Sequence, residues 1–272
     1  MKRIRPSRIV INTVLGVLSI CWFFPLFFAF FNSIKDRIEY NRGSVWSLPL
    51  KNNFFENLAY MQQVAGVFTS MANSFLYAFS GAALSVFIAI LAAYALTHLP
   101  IKGRIFWFLF IYSGTVFPFQ MYLIPISKAY NLLNLYNTRQ GMILFYIAIC
   151  IPFAMFVMRN FFTGISKEVL ESAKIDGASN SMVLFRILVP MSVAPIAVVF
   201  FTQFSYCWNE LMFGLTFTKS VEIRPVMSAL ATVGGNHIPA LLLACIIVSI
   251  PTLVFFTLLQ GKMETGLVYQ SK

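Results

Sequence analysis

The chain has 272 residues, 59% of them hydrophobic and only 11% charged; a soluble domain carries about a quarter charged residues, so the composition excludes an ordinary soluble protein and points to a membrane one. A formal charge of +11 would suggest nucleic acid in a soluble protein, but here the basic residues sit in short gaps between apolar runs, which the positive-inside rule explains, and nucleic acid is set aside as a partner. Cys21, Cys150, Cys207 and Cys245 all lie inside apolar runs without a CxxC neighbour, and His98 and His237 stand alone in sequence; the cysteines read as small buried side chains, and no metal or disulfide framework is expected.

In chain order, apolar runs near residues 9–31, 72–97, 105–127, 140–158, 192–217 and 239–259 are each long enough to cross a bilayer. The first is preceded by Lys2, Arg3, Arg5 and Arg8 in the manner of a signal peptide. Its apolar part is too long for one, and no small-residue cleavage pattern follows Phe31, so it is expected to remain as a helix. With the N-terminus inside, the cytoplasmic pieces hold twelve basic residues (Lys2, Arg3, Arg5, Arg8, Lys102, Arg104, Arg159, Lys167, Lys174, Arg186, Lys262 and Lys272) and the outer pieces the other eight. That margin, with four basic residues ahead of the first span, places both termini in the cytoplasm. Two connections are long: residues 32–71, outside, with a short amphipathic piece at 53–57, and residues 159–191, inside. No stretch is large enough for a separate soluble domain, so residues 1–272 read as a single transmembrane domain of an all-α, polytopic protein with six membrane helices.

Five of the six spans contain no Asp, Glu, Lys, Arg or His, and the fifth contains only Glu210, near its outer end. Ion-coupled carriers usually keep ionisable groups at membrane depth, so their scarcity argues against secondary transport, although backbone carbonyls can bind sodium. No nucleophile or metal cluster suggests a membrane enzyme. The chain has no G-x-x-x-x-G-K-[ST] phosphate loop; if ATP drives it, another subunit binds the nucleotide. Gly81, Ser85, Ala89 and Ala93 put small residues on one face of the second span, where another helix can approach closely. Pro25, Pro118, Pro125, Pro152, Pro195 and Pro251 lie within spans and can kink them. In the fifth span Tyr206, Asn209 and Glu210 occupy about one turn. An aromatic face and polar groups suit a sugar, so they are candidates for a substrate path; the plainer reading makes Glu210 an interfacial anchor.

The inner segment 166–190 carries most information. Ser166 can start a helix, with Glu168 in its first turn. Val169, Leu170 and Ala173 share a face, with Glu171 and Lys174 beside it. Asp176-Gly177 signals a turn. A second helix then presents Met182, Phe185 and Leu188 before Pro190. The pattern predicts a helix–turn–helix elbow suited to a groove on a soluble partner; the alternative is a passive loop resting on the membrane surface.

This stretch resembles the EAA loop of bacterial ABC-importer permeases, E-A-A-x-x-x-G-x9-I-x-L-P, through Glu171, Ala173, Gly177, Ile187 and Pro190. Ser172 stands where that motif has Ala, Val189 where it has Leu, and Ser166 where the sugar permeases often have Pro. Further likeness lies in Ser33-Ile34-Lys35, Asn73-Ser74, Ala92-Ala93-Tyr94-Ala95-Leu96, Pro118, Pro125 and Trp208-Asn209-Glu210. The tail at 266–272 departs from the usual Gly-Ala-Val-Lys-Gly ending.

Together these features resemble the carbohydrate-uptake permeases of the maltose-transporter type. The resemblance implies the type I ABC-importer fold in a bacterial plasma membrane, and import of a sugar or oligosaccharide, with a small polar solute such as a glycerol phosphate ester as the alternative. It implies a second, different permease subunit, two ATPase subunits, an extracellular solute-binding protein and membrane lipid as partners. No cofactor would be bound by this chain, ATP and Mg residing on the ATPase. It also implies a coupling role for Glu168, Glu171, Ser172, Ala173, Asp176, Gly177, Ala178, Phe185, Ile187 and Pro190. Of these, Glu171 would make the polar contact, Ala173 and Gly177 would permit close approach, and Phe185 would be an apolar plug.

Overall fold

The computed structural model describes residues 6–235 and 237–270, with side chains from 10 to 263 within them. The side chains of Lys2, Arg3, Arg5 and Arg8, and those of the divergent tail at 266–272, lie outside the described residues. Among the described residues there are helices and no strands: α1 (Pro6–Ser33), α2 (Arg37–Arg42), α3 (Phe54–Ala65), α4 (Val67–His98), α5 (Arg104–Thr115), α6 (Gln120–Leu132), α7 (Arg139–Thr163), α8 (Lys167–Ile175), α9 (Asn180–Met191), α10 (Val193–Asn209), α11 (Met212–Phe217), α12 (Val226–Val233) and α13 (Ile238–Gln270). α1, α4, α7 and α13 contain stretches long and apolar enough to cross a membrane, and the pairs α5–α6 and α9–α10 each make a bent span, giving six.

The third span is therefore not the continuous helix expected over 105–127. α5 tightens to a 3₁₀ turn at Ser113–Thr115 and α6 leaves at 95° to it. The cause is local. Pro118 brings no backbone N–H and disfavours helical geometry at Phe117. Gly114 lets the turn lie against α7, where an added Cβ would come 3.1 Å from Pro152 Cγ. Pro125, by contrast, is accommodated inside α6. The expected fifth span also ends early. α10 stops at Asn209, Glu210 is extended, and α11 is a separate short helix.

The chain divides into two compact units, Met1–Phe68 with Ala229–Ile250, and Thr69–Ser228 with Pro251–Lys272. In the first, the connection after α1 is organised around Lys35. Its side chain is wholly buried, and Nζ donates to the carbonyls of Ser44 at 3.1 Å and Val45 at 3.4 Å. Asn57 on α3 donates to the carbonyls of Ser33 and Lys35. The Ser-x-Lys pattern thus fixes the loop against α3, which extends the short amphipathic piece expected at 53–57 to twelve residues. Trp46 packs its ring against Phe24 and Phe28.

The second unit is built on α4, α7 and α10. Gly81, Ser85, Ala89 and Ala93 are all buried, so the small-residue face of α4 is packed inside its own bundle. Tyr146 of α7 lies so close that a Cβ on Gly81 would be 2.8 Å from its Cβ. Asn73 and Ser74 hold the segment after α11: Asn73 Nδ2 donates to the Glu222 carbonyl at 2.8 Å, and Ser74 Oγ accepts from the Val226 N–H at 2.7 Å. Cys150 and Cys207 are buried with their sulfurs 3.5 Å apart. Cys21 and Cys245 are exposed, against the expectation of burial for all four, because apolar runs of a membrane helix serve lipid-facing surfaces as well as the core.

The Gly81 contact generates a direct test. Gly81→Val should separate α4 from α7 and cost about 1–3 kcal/mol, the usual range for overpacking a filled core. Thermal melting of the purified protein in detergent would register it; an unchanged melting temperature would contradict this packing.

Candidate functional site: the α8–α9 elbow and the cavity beside α10

The sequence-predicted elbow is present. α8 buries Ala173, and Leu170 and Ala178 pack against a cluster containing Tyr94, Met158, Phe162, Leu184 and Leu188. The chain then reverses through Gly177, whose φ of +77° is left-handed. An added Cβ there meets nothing within 4 Å, so the demand for glycine is conformational and not steric. The Ala178 N–H donates to the Ala173 carbonyl at 2.9 Å and closes the turn. Ser166 precedes α8 in extended backbone but makes no side-chain cap. The capping serine is Ser179, whose Oγ accepts from the Met182 N–H at 3.3 Å and starts α9.

The outer side of the elbow is open. Glu168, Glu171, Ser172 and Asp176 are exposed, and so are Phe185 and Pro190, while Ile187 is half-buried. Ile175, at the end of α8, is 86% exposed and was not singled out by sequence pattern, since one apolar residue beside a turn carries no periodicity. The tip therefore combines acidic groups with exposed Ile175, Met182 and Phe185. Its inner side is anchored: Tyr94 at the end of α4 donates its hydroxyl to Asn180 Oδ1 at 3.4 Å.

α9 is not a plain α-helix. Val183–Leu188 is π-helical, a local widening that costs regularity and recurs at functional sites. After Met191 the chain turns by 78° into α10, with Ser192 Oγ donating to the Leu188 carbonyl. Elbow and fifth span are thus consecutive arms of one bent rod.

The far arm forms one wall of a cavity of about 520 Å³. Thr202, Gln203 and Tyr206 line it from α10, Ile149 and Phe153 from α7, and residues 114–120 of the broken third span close it. The three residues proposed from sequence for a substrate path are separated. Tyr206 lines the cavity, Asn209 is exposed and bonded to the Ser205 carbonyl, and Glu210 is turned inward. Glu210 accepts from the N–H groups of Met212 at 2.6 Å and Phe213 at 2.8 Å, and Tyr146 Oη lies 3.5 Å away. It anchors α11 from inside the protein, not the span at its outer surface. Thr202 and Gln203 are additions to the sequence reading. Their only signal was polarity within an apolar run, which hydropathy averages away.

Residues 85–268 match the family described as "Binding-protein-dependent transport system inner membrane component". The chain is 31% identical to the probable ABC transporter permease protein YurM of Bacillus subtilis, covering 90% of this chain and 81% of that one. It is 30% identical to the alpha-glucoside transport system permease protein AglG of Rhizobium meliloti over 78% of this chain, a match that spans 58% of that relative's length. It is 26% identical to the sulfoquinovosyl glycerol transport system permease protein SmoH of Agrobacterium fabrum, over 97% of this chain and 92% of that one. A crystal structure of a bacterial ABC transporter involved in the import of the acidic polysaccharide alginate contains a chain that superposes with a TM-score of 0.76, at 24% identity, covering 96% of this chain and 99% of that chain; the likeness is one of fold.

The different surroundings of Asn209 and Glu210 should separate in stability. Glu210→Ala leaves the buried N–H of Phe213 and the part-buried N–H of Met212 without an acceptor, a loss of about 1–3 kcal/mol, whereas Asn209→Ala should stay within about 0.5 kcal/mol. Melting curves of the two variants compare them; equal destabilisation would contradict the inward anchor.

Proposed function

The chain belongs to the family of binding-protein-dependent transport system inner membrane components, and on that premise we propose that it passes a sugar or oligosaccharide across a bacterial plasma membrane as one subunit of an ATP-driven importer. Its fold is that of a type I importer permease. The solute is delivered by an extracellular binding protein. A second, different permease completes the path, and two ATPase subunits carry ATP and Mg. Both ends of this chain face the cytoplasm, as does the elbow.

The observation that carries the reading is the continuity of α9 and α10, with α8 folded against the start of α9 through the Gly177 turn. The exposed tip offers acidic and apolar groups to a groove on the ATPase, and the same rod ends in the wall of a cavity. A push on the elbow displaces that wall without any chemical step in this chain. Thr202, Gln203 and Tyr206 give the cavity hydroxyl, amide and phenol groups beside the aromatic Phe117, Phe119 and Phe153, the combination that takes up sugar rings and their hydroxyls. The names of the relatives, alpha-glucoside and sulfoquinovosyl glycerol systems among them, support a sugar class. The apolar stretch of α1 has no buried residue, which leaves a face for lipid or for the second permease.

Two substitutions test the coupling. Glu171→Lys brings like charges together at the ATPase groove if Glu171 meets a basic side chain there, which can cost several kcal/mol. Gly177→Val forces a β-branched residue into left-handed backbone and misdirects α9. Both variants should insert normally yet lose uptake into ATP-loaded vesicles, and solute-stimulated ATP hydrolysis should fall in parallel. Normal uptake in both would overturn the coupling role. Orientation is tested separately: Asn180→Cys should react with a membrane-impermeant thiol reagent in inverted vesicles and not in intact cells, and the reverse pattern would overturn it.

A further inference from the structure

A second cavity, of about 680 Å³, opens beside the ends of α4 and α7 and the starts of α5 and α8. His98, Arg104, Arg159 and Lys167 line it, and no acidic side chain does. Among the described residues none of the three cations, Arg104, Arg159 and Lys167, pairs with a carboxylate. Arg159 has its guanidinium carbon 4.2 Å from the Phe108 ring centroid, which fixes the group in place. Its buried Nε has no hydrogen-bond partner, and neither has the buried Nε2 of His98. Such orphaned polar atoms are uncommon in a folded protein and leave bonding capacity for a water or an ion to complete.

Two further features point the same way. Gly103, left-handed at φ +72°, precedes α5 without any side-chain cap, so the free N–H groups of that helix start beside the cavity, where an anion is favoured. Arg104 Nη1 donates to the Thr97 carbonyl at 3.3 Å, which holds the arginine on the cavity wall. Next to it Ile105, Phe106 and Trp107 are exposed and apolar, at the level where an indole ring commonly marks the membrane interface.

We propose that this cavity holds the phosphate headgroup of an anionic phospholipid of the inner leaflet, its acyl chains lying along Ile105, Phe106 and Trp107. The assignment rests on the orientation given above, which sets these helix ends at the cytoplasmic surface. A basic pocket between membrane helices on that side is suited to anionic headgroups, and the adjoining apolar strip favours a lipid over a free phosphate ion. The lipid would brace the root of α8 where it leaves α7, close to the elbow but away from its exposed tip.

The test is native mass spectrometry of the assembled transporter, titrated with phosphatidylglycerol or with phosphatidylcholine of the same acyl chains. Retained phosphatidylglycerol should exceed phosphatidylcholine. Each cation near a membrane surface contributes about fivefold in affinity for anionic lipid, so Arg104→Gln combined with Lys167→Gln should lower phosphatidylglycerol binding by roughly 25-fold. Neither substitution touches the Arg159–Phe108 stack, and a melting curve of the double variant controls for folding. Equal retention of the two lipids, or undiminished binding in a folded double variant, would overturn the proposal. So would displacement of the lipid by millimolar inorganic phosphate, which would make the ligand a free anion. Binding by the isolated chain but not by the assembled transporter would overturn it in favour of an ATPase side chain in the cavity. Because the readout is lipid retention and not uptake, failure here leaves the transport reading standing, and failure of transport leaves this result intact.

Discussion

A helix crossing hydrocarbon must bond every backbone N–H and C=O internally, because no water is there to do so. Departures from helix are tolerated only where protein or a cavity covers them. Two spans of the second unit are broken, at 116–119 between α5 and α6 and at Ser192 between α9 and α10, and the functional geometry follows from these bends. At the first, Pro118 removes a donor that would have been stranded, and its carbonyl accepts from the Met121 N–H at 3.0 Å. At the second, the Ser192 N–H is taken by the Val189 carbonyl and its hydroxyl by that of Leu188.

The consequence is a division between parts that hold and parts that can move. The α4–α7 contact at Gly81 and the buried Tyr146, Phe204 and Trp208 make a filled core. The elbow is attached to that core along its inner side, through Leu170, Ala173 and Ala178 around α8 and Val183, Leu184 and Leu188 of α9, and by the bond from Tyr94 to Asn180, while its tip is left exposed. A stiff scaffold with one bent rod packed on it along a single side suits motion between discrete positions, since packed cores are bistable and do not deform continuously. The irregular π segment of α9 falls between the tether and the bend.

Much of this was legible in the residues. Span length came from apolar runs, and the left-handed turn from Asp176-Gly177 between two short amphipathic stretches. The break of the third span was not, although Pro118 and Pro125 were both visible, because only the first sits beside a glycine that lets the turn dock on α7. Glu210 was read as an anchor at the outer end of its span; its bonds to Met212 and Phe213 are local, but the burial that makes it an internal anchor involves Tyr146 of α7, a non-local contact. Ser166 and Ser179 are equivalent as sequence signals, and only the path of the chain after Gly177 selects the second as the cap. Lys35 shows the same limit. A lone lysine in an outer loop reads as solvated, and its burial follows from three carbonyl and hydroxyl acceptors brought together by the fold.

The central claim is that the elbow and the cavity wall move as one body when the ATPase subunits close. The most direct measurement is the distance between spin labels at Ser181, on α9, and Val116, in the broken third span, in the assembled transporter with and without ATP. A rod driven from its elbow should give two distinct distance distributions, the second populated when ATP is bound and hydrolysis is blocked. One unchanged distribution under both conditions, in a transporter that still imports its solute, would contradict transmission through this elbow.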